Sequence, residues 1–411
     1  MSTQRYAGFL DRFLGELSAW NQTGREPETA DLDVRYDMDL REKRLKKLGL
    51  SVKEEYLPVK DEIRGALSRN HEPYRTTIQY KETSHTASYQ KDGKEIYRSK
   101  KPENVYVSVL DRDGNKDYPY VCPNCGNRTM ASKLRDGCPY CGTRFETSRF
   151  YPKVNGYYTV PGIVERAGLM DRIKRMCLIS GGAAGILAAG ATWFGWEMEP
   201  FVFKILATLF TGAMIGGIIA FIVYMAYSLT LVGKVFYEGG RAVPLLSSMN
   251  SAKKMRKFME PYDPEFSYEL FEGKVISRLR AIAFSDKRDD LTIYAGNEDL
   301  SYFDNLADMR YRGALAIREC RAEKDRLIIS VRAYMTDLYY NKKIRARDEV
   351  LYADLEIGKD AAMDPAFSVH AVTCPSCGAS FDAMHEKTCP HCGNEYRLIH
   401  EDWIVTSVRR G

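Results

Sequence analysis

Eight of the ten cysteines in the 411-residue chain occur as Cys-x-x-Cys pairs, and the pairs are grouped two by two. The first group has twelve residues between its pairs, and the second has eleven. Two such turns supply four thiolates, which is the tetrahedral ligand set of a structural zinc site. The spacing therefore predicts two Zn²⁺ ions per chain. The expected ligands are Cys122, Cys125, Cys138 and Cys141 for one ion, and Cys374, Cys377, Cys389 and Cys392 for the other.

A glycine follows the second cysteine of every pair, at positions 126, 142, 378 and 393. Glycine adopts a positive φ without strain and leaves backbone N–H groups free to point at sulfur. The motif resembles the zinc-ribbon family. A redox dithiol, disulfides and a rubredoxin-like iron site are the competing interpretations. Redox motifs do not come as four matched turns, and a rubredoxin-like site usually has a longer gap between its pairs.

Four thiolates leave no position open for water, so a site of this kind stabilises a fold and does not catalyse. His385 and His391 lie near the second group and could replace a thiolate, but we expect both to face solvent. Free thiolates indicate a reducing compartment. We expect the two remaining cysteines, Cys177 and Cys320, to be small buried apolar residues. Acylation of Cys177 is the alternative.

Two uncharged stretches lie in the middle of the chain, Met176–Trp196 and Ile205–Gly233. Each exceeds the roughly 20 residues that cross a bilayer core. The short connection between them is flanked by Trp193 and Trp196, and tryptophan favours the membrane interface. The sequence therefore predicts a transmembrane hairpin.

Basic residues flank the hairpin on both sides, whereas its tip carries Glu197 and Glu199. The positive-inside rule then places both large flanking regions in the cytoplasm. We expect an integral membrane protein with two spans and both termini in the cytoplasm. The basic residues are Arg166, Arg172, Lys174 and Arg175 before the first span, and Lys234, Arg241, Lys253, Lys254, Arg256 and Lys257 after the second.

Both spans carry small residues at every fourth position, which allows helices to approach closely. The default expectation is that these faces pack the hairpin on itself, and a homo-oligomer formed through them is the alternative. No row of polar groups suited to a transport path is present. The small residues are Gly181, Gly185 and Ala189 in one span, and Gly212, Gly216 and Ala220 in the other.

Composition and pattern divide the chain into five parts. Residues 1–75 are an expected helical segment, with 40–70 helical and strongly charged. Alternating and β-branched residues in 76–162 predict a β domain that contains the first ribbon. Residues 163–233 hold the linker and the hairpin, and 234–260 form a basic juxtamembrane segment. Residues 261–411 are an expected α+β domain with the second ribbon at 373–393.

The last part begins with a predicted helix that has Asp263 as N-cap and Pro264 at its first position. Its expected apolar face comprises Phe271, Val275, Leu279 and Ile282. Strands follow in "RLIISVRAYMTDL" and "VLYADLEIG", where apolar residues alternate. Helices first and antiparallel strands afterwards indicate an α+β fold. We expect the second ribbon to be an insertion between a strand "FSVHAV" and the final strand.

The order of a "DPEFS" helix start, a set of strands and a final "DWIVTSV" strand resembles the domain of the mitochondrial inner-membrane translocase subunit 44 and its bacterial relatives. The resemblance covers about residues 261–411. It implies a cone of helices against a curved sheet, like nuclear transport factor two. Bacterial membrane proteins that join zinc ribbons to this domain look similar, so the resemblance implies a bacterial cell membrane.

The sequence contains no phosphate-binding G-x-x-x-x-G-K-[ST], no H-E-x-x-H and no G-x-S-x-G motif. Three hypotheses remain, and the first, which the resemblance implies, is a membrane-anchored scaffold or docking protein that binds unidentified protein partners. The resemblance implies a link to protein translocation or membrane biogenesis. A nucleic-acid or ribosome contact through the ribbons is the alternative, and the net charge of +5 is modest for it. The second alternative is a ligand-binding or enzymatic pocket in the cone domain.

Overall fold

The structure is a computed structural model of the chain, in which helices and antiparallel sheets form two compact units. One unit combines Met1–Gly162 with Pro244–Gly411, and the other is Ile163–Val243. The expected mixed α+β class is confirmed. The structure describes the chain apart from residues 1–6, 60–63, 72–73, 113–118, 123–124, 126, 135–136, 144–150, 162–165, 198–200, 241–242, 362 and 365–366.

The first part of the chain forms two helices and an antiparallel sheet. The sheet order is β1-β3-β4-β7, and β2 also pairs with β3. A turn at Asp92 and Gly93 joins β3 to β4, and both residues have positive φ, as a tight hairpin requires. The elements are α1 (Ala7–Thr23), α2 (Leu32–Lys47), β1 (Ser51–Pro58), β2 (Arg64–His71), β3 (Tyr74–Lys91), β4 (Lys94–Arg112), β5 (Pro119–Val121), β6 (Arg128–Met130), α3 (Ala131–Leu134) and β7 (Lys153–Pro161).

Helix α1 is amphipathic. Leu10, Phe13, Leu14 and Leu17 are buried on one of its faces and share a core with Val105, Val107 and Val109 of β4. The helix also covers the edge strand β1, where Ser18 Oγ accepts a hydrogen bond from the backbone N–H of Tyr56.

The expected helix over 40–70 is wrong beyond Lys47. Gly49, with a φ of 68°, follows the end of α2, and the chain continues as β1 and β2. The charged residues of this stretch suggested an exposed helix, but one of them is not exposed. Glu54 of β1 is buried and accepts two hydrogen bonds from Arg41 of α2. In β1 the buried residues Val52 and Glu54 alternate with exposed ones, as in a half-buried strand. A search for alternating hydrophobic residues misses this strand because Glu54 is charged.

The second unit is a helical hairpin of α4 (Arg166–Gly195) and α5 (Phe201–Gly240). Within them, Ile173–Gly195 and Phe201–Tyr227 are long and apolar enough to cross a membrane. The faces of small residues lie against each other. A side chain added at Gly185 would come within 2.8 Å of the carbonyl oxygen of Gly212. The glycines thus allow the close helix approach of the default expectation.

The last part of the chain adds two helices and a second sheet, of order β13-β10-β9-β8. The predicted alternation is confirmed: Leu327, Ile329, Val331, Ala333 and Met335 of β9 are all buried. The elements are α6 (Val243–Met259), α7 (Tyr268–Phe284), β8 (Leu306–Ala322), β9 (Arg326–Asn341), β10 (Lys343–Gly358), β11 (Val372–Thr373), β12 (Ser380–Phe381) and β13 (Ile404–Arg410).

Helix α7 buries the expected apolar face but begins later than predicted. Its N-cap is Ser267, whose side chain accepts a hydrogen bond from the backbone N–H of Leu270. Asp263 instead accepts a hydrogen bond from the N–H of Glu265, two residues on. This short Asx turn uses the same side-chain acceptor as a helix cap, and the sequence alone does not distinguish the two.

The expected strand "FSVHAV" is also wrong. Residues Val369–Ala371 form a 3₁₀ helix, and the two-residue β11 pairs with β12 inside the second ribbon. The ribbon does lie in a strand connection, between the antiparallel neighbours β10 and β13. The apolar residues Val369 and Val372 that suggested a strand are buried in the main core.

The two ends of the chain fold together in one unit. Leu45, Val52 and Tyr89 share a hydrophobic cluster with Leu338 and Ile344. The guanidinium of Arg44, only 2% exposed, donates hydrogen bonds to the carbonyl oxygens of Phe303 and Phe284, at 2.5 and 3.1 Å. The apolar hairpin is therefore inserted within the sequence of one globular body.

Candidate metal centres

The first ribbon brings its four cysteines together at one end of the β5–β6 hairpin. The Sγ atoms of Cys122 and Cys141 are 3.7 Å apart, and those of Cys125 and Cys138 are 3.8 Å apart. All four sulfurs lie within 4.8 Å of one another. The N–H of Cys122 bonds to the carbonyl of Asn127, and that of Cys138 to Thr143, so each pair is held in a tight turn.

The second ribbon repeats this geometry. The distance is 3.7 Å both between the Sγ atoms of Cys374 and Cys392 and between those of Cys377 and Cys389. The N–H of Cys374 bonds to Ala379, matching the bond of Cys122 to Asn127. Gly142, Gly378 and Gly393 each have a φ of 72° or 74°, as expected from their place after the second cysteine. Gly126 lies outside the described residues.

The sulfur separations fit a metal ion at the centre of each cluster. A tetrahedral ion with metal–sulfur bonds of about 2.3 Å separates its sulfurs by about 3.8 Å. A disulfide would bring two sulfurs to about 2.05 Å. The pKa of the Cys374 thiol is lowered to about 6, mainly by a hydrogen bond from the backbone N–H of Cys377. Two four-cysteine clusters that can hold metal ions are therefore present.

The two ribbons differ in how they join the fold. Among the residues whose burial the structure describes, the core cluster of the first ribbon consists of Ala131, Leu134 and two of its cysteines. Cys374, Phe381 and Met384 of the second ribbon belong to the large core that also contains α7 and β9. The second ribbon is thus part of the main core, whereas the first has a small core of its own.

Polar contacts attach the second ribbon to its surroundings. Thr292 bonds to the backbone carbonyls of Ala383 and Met384. Across the ribbon, Tyr36 of α2 lies 2.9 Å from His385 Nε2 and packs on the ring of His370. Ser368 also donates to Asp33 of α2, at 2.8 Å. The ribbon therefore connects α2 near one end of the chain to the sheet near the other.

The two histidines near the second cysteine group are exposed, as expected. Neither belongs to the four-cysteine cluster. Cys177 and Cys320 were expected to be buried and are only half-buried. Among the basic residues of the first ribbon, Arg128 and Lys133 are exposed, while Arg135 and Arg144 lie outside the described residues.

Sequence reasoning missed a buried network of alternating charges between the two sheets. Glu103, His85, Glu54, Arg41, Asp308 and Arg310 follow one another at ion-pair distances of 2.7 to 3.4 Å. Burial lowers the pKa of His85, but hydrogen bonds to Glu103 and Glu54 raise it more, to about 9. Arg41, Glu54, His85, Asp308 and Arg310 line part of a partly open cavity of about 50 Å³.

No spacing rule along the chain reveals this network, because its members come from five different elements. The alternation of signs compensates each buried charge, and the pairs join α2, β1, β3 and β4 to β8. A buried charge without such a partner would be costly. The network therefore acts as a specific contact between the two ends of the chain.

Comparison with known proteins found no family model, no curated protein and no solved structure that matches this chain.

Proposed function

We propose that the protein is a membrane-anchored scaffold or docking protein with two structural zinc sites. The observation that carries the proposal is the insertion of an apolar hairpin into a single globular body. Such an arrangement anchors the body to a membrane at two points of its chain. The body then presents its ribbons and sheets to partners on one side of that membrane.

We propose zinc because of the ligand atoms in the two clusters. Four thiolates in tetrahedral geometry suit zinc or iron, and zinc is the usual ion of paired short turns in a ribbon. With all four positions taken by protein, the ion supplies folding energy and no open site for catalysis. The role of the clusters in this proposal is therefore structural.

The membrane proposal is supported by the distribution of side chains on the hairpin. Phe194, Leu178 and Phe210 are 89%, 74% and 68% exposed, which is costly in water and favourable in lipid. Tyr224 follows Phe201 by about 35 Å along α5, at 1.5 Å per residue. Aromatic residues would thus lie near both interfaces of a bilayer with a core of about 30 Å.

Orientation follows from the shared body and from charge. Because Met1–Gly162 and Pro244–Gly411 form one unit, both belong in the same compartment. Lys174 and Arg175 beside the first span favour the cytoplasm. Eight free thiols in two clusters also suit a reducing compartment. We place both termini in the cytoplasm of a bacterial cell.

For residues 261–411 we propose the cone-shaped fold of the translocase subunit 44-like domain. Helix α7 packs on the buried face of the β8–β9–β10–β13 sheet, which supports a layer of helix against sheet. A link to protein translocation or membrane biogenesis rests on this resemblance.

A second candidate function is a contact of the first ribbon with nucleic acid. Tyr140 is 67% exposed at the second cysteine turn, and Arg128 and Lys133 are exposed on the same small module. An exposed ring that stacks on bases beside cations that meet phosphate is the usual pattern for single strands. The four thiolates around a divalent ion would add two negative charges, which weakens this candidate.

One capture experiment separates the two functions. The tagged protein is cross-linked in membranes and purified with cytoplasmic extract, before and after nuclease treatment. The scaffold proposal expects specific proteins to be retained after nuclease. It also expects their retention by an Arg128→Ala/Lys133→Ala/Tyr140→Ala variant. Loss of all partners after nuclease treatment, and likewise in the triple-alanine variant, would favour a nucleic-acid contact and overturn the scaffold proposal.

A further inference from the structure

The outer face of the second sheet carries a row of arginine and tyrosine side chains. Arg332 of β9 and Arg409 of β13 are the register partners of Tyr352 of β10, one on each side. Tyr352 alternates with the buried Leu351 and Ala353, so the row lies on the face that is turned away from the core. Three adjacent strands therefore present two guanidinium groups and a phenol ring side by side.

Two arginines lie over the ring of Tyr352. The guanidinium carbon of Arg318, from β8, is 5.1 Å from the ring centroid, and that of Arg332 is 5.5 Å from it. Arg332 also donates a hydrogen bond to the hydroxyl of Tyr334, at 3.4 Å. An aromatic ring attracts a cation without neutralising its charge. The two guanidinium groups are therefore positioned together by neutral side chains.

The carboxylates next to these two arginines already have partners, whereas the arginines have no carboxylate of their own. Among the described residues, neither Arg318 nor Arg332 forms an ion pair with a carboxylate. The neighbouring pairs are Asp354 with Arg409 at 3.2 Å, Glu356 with Arg326 at 2.9 Å, and Glu319 with Arg321 at 3.8 Å. Because the charges within each pair cancel, the face keeps a surplus of two positive charges, at Arg318 and Arg332.

The same face contains an open cleft of about 500 Å³, which is the size of many small-ligand sites. Arg318 lines this cleft, and Arg332 follows Ser330, another lining residue, on the same side of β9. Lys254 of α6 donates a hydrogen bond to the backbone carbonyl of Arg318, at 2.8 Å, and adds a positive charge nearby. A negatively charged ligand can therefore reach the surplus from solvent. The charged residues that line the cleft include Arg318, Arg321, Arg409, Glu319, Asp354 and Glu356.

We propose that the cleft binds a phosphate monoester, with its phosphate group held by Arg318 and Arg332. A phosphate monoester carries a charge of about −1.5 to −2 at pH 7, which matches the surplus of two positive charges. Guanidinium groups bind phosphate oxygens through paired hydrogen bonds and keep their charge at any physiological pH. The ligand is a soluble phosphate ester or the headgroup of a lipid. Because the cleft belongs to the globular body alone, the proposal does not require the hairpin to span a membrane.

Calorimetric titration of the full-length protein with glycerol 3-phosphate, in neutral detergent, tests the site. We expect one molecule to bind per chain, with a dissociation constant of about 1 mM or below. The Arg318→Ala/Arg332→Ala variant should bind at least about tenfold more weakly, because it loses charge-assisted hydrogen bonds to the phosphate. Glycerol, which lacks the phosphate, should not bind. No binding to the wild type, or unchanged affinity in the variant, overturns the proposal.

A matched variant separates a site from the general charge of the protein. Arg345→Ala/Arg347→Ala also removes two exposed arginines, but these precede Tyr352 by at least five residues, about 16 Å along β10. That distance exceeds the screening length of about 8 Å at physiological salt. The control variant should bind as the wild type does, and an equal loss of affinity there overturns the proposal. Arg318 is exposed, so Arg318→Ala alone decides the outcome if the double variant does not fold.

Dioctanoyl phosphatidic acid, the diacyl ester of glycerol 3-phosphate, identifies the source of the phosphate. The ratio of wild-type affinity to Arg318→Ala/Arg332→Ala affinity is measured for both compounds. A larger ratio for phosphatidic acid assigns the site to a lipid headgroup, and a ratio that is no larger assigns it to a soluble ester. Either assignment supports the phosphate site. Equal affinities of the wild type and the variant for both compounds overturn it.

Discussion

At the scale of single residues, the interior of the globular body holds carboxyl groups in unusual protonation states. Glu272 of α7 is 7% exposed and accepts hydrogen bonds from Tyr311 of β8 and Tyr158 of β7. Burial raises its pKa to about 7, although the hydrogen bond from Tyr311 opposes this change. The group thus sits between the two ends of the chain, since Tyr158 precedes the hairpin and Glu272 follows it.

The raised pKa makes the stability of the body depend on pH. The folded protein binds this proton more tightly than the unfolded chain does, so the stabilisation is complete below about pH 4.5. It is lost as the pH rises through about 7. We expect Glu272→Gln, which keeps an acceptor for Tyr311, to flatten the decline of unfolding free energy between pH 5 and pH 7. The change should be up to about 1.4 kcal/mol per pH unit.

Urea unfolding at several pH values measures this effect. Glu269→Gln is the matched control, since Glu269 lies one turn away on α7 and pairs with Arg256 near the surface. An unchanged pH dependence in Glu272→Gln, or the same flattening in Glu269→Gln, would show that Glu272 does not bind the proton.

At the scale of elements, the two ribbons have the same metal geometry and different places in the fold. We expect the protein to carry two zinc ions, and the double variants Cys122→Ser/Cys125→Ser and Cys374→Ser/Cys377→Ser each to lose one. Loss of the first ion should unfold only the ribbon, whose core is separate. Loss of the second should lower the melting temperature of the whole body, since its residues belong to the main core.

Elemental analysis and thermal unfolding of the two variants check this difference. Iron as the main metal, or one ion in the wild type, would contradict the assignment of two zinc sites. Equal melting temperatures for the two variants would contradict the structural contrast between the ribbons.

The elements also mark the limit of sequence reasoning. The cysteine clusters, the apolar helices and the alternation of Leu327 to Met335 were predicted because each depends on local spacing. The strand containing Glu54 was missed because its buried positions are polar. The late start of α7 at Ser267 was missed because Asp263 bonds within a turn.

Contacts between residues that are far apart in the sequence could not be predicted from it. Arg41 and Asp308 form an ion pair across 267 positions of sequence, and nothing near either residue indicates the other. The same holds for Arg44, whose hydrogen-bond acceptors Phe284 and Phe303 lie beyond the hairpin. Partners at this separation follow from packing and not from spacing.

At the scale of the whole molecule, a single globular body has an apolar hairpin inserted within its sequence, and we propose that this hairpin spans a membrane. The shared core of Leu45, Val52 and Tyr89 with Leu338 and Ile344 requires both ends of the chain in one compartment. An odd number of spans would separate these residues by a membrane and break the core. The proposed topology therefore requires the whole globular body to fold on one side of the membrane.

Cysteine labelling in intact cells tests this claim most directly. Single cysteines are introduced at Asp92, at Lys342 and at Gly195. The unsubstituted chain is labelled in parallel, and its signal gives the background labelling of the native thiols. Asp92 and Lys342 are exposed turn positions before and after the hairpin, and Gly195 is at its tip. The account expects an impermeant maleimide to label Gly195→Cys alone, with Asp92→Cys and Lys342→Cys labelled only after lysis. Labelling of Asp92→Cys and Lys342→Cys from opposite sides of the membrane would contradict it.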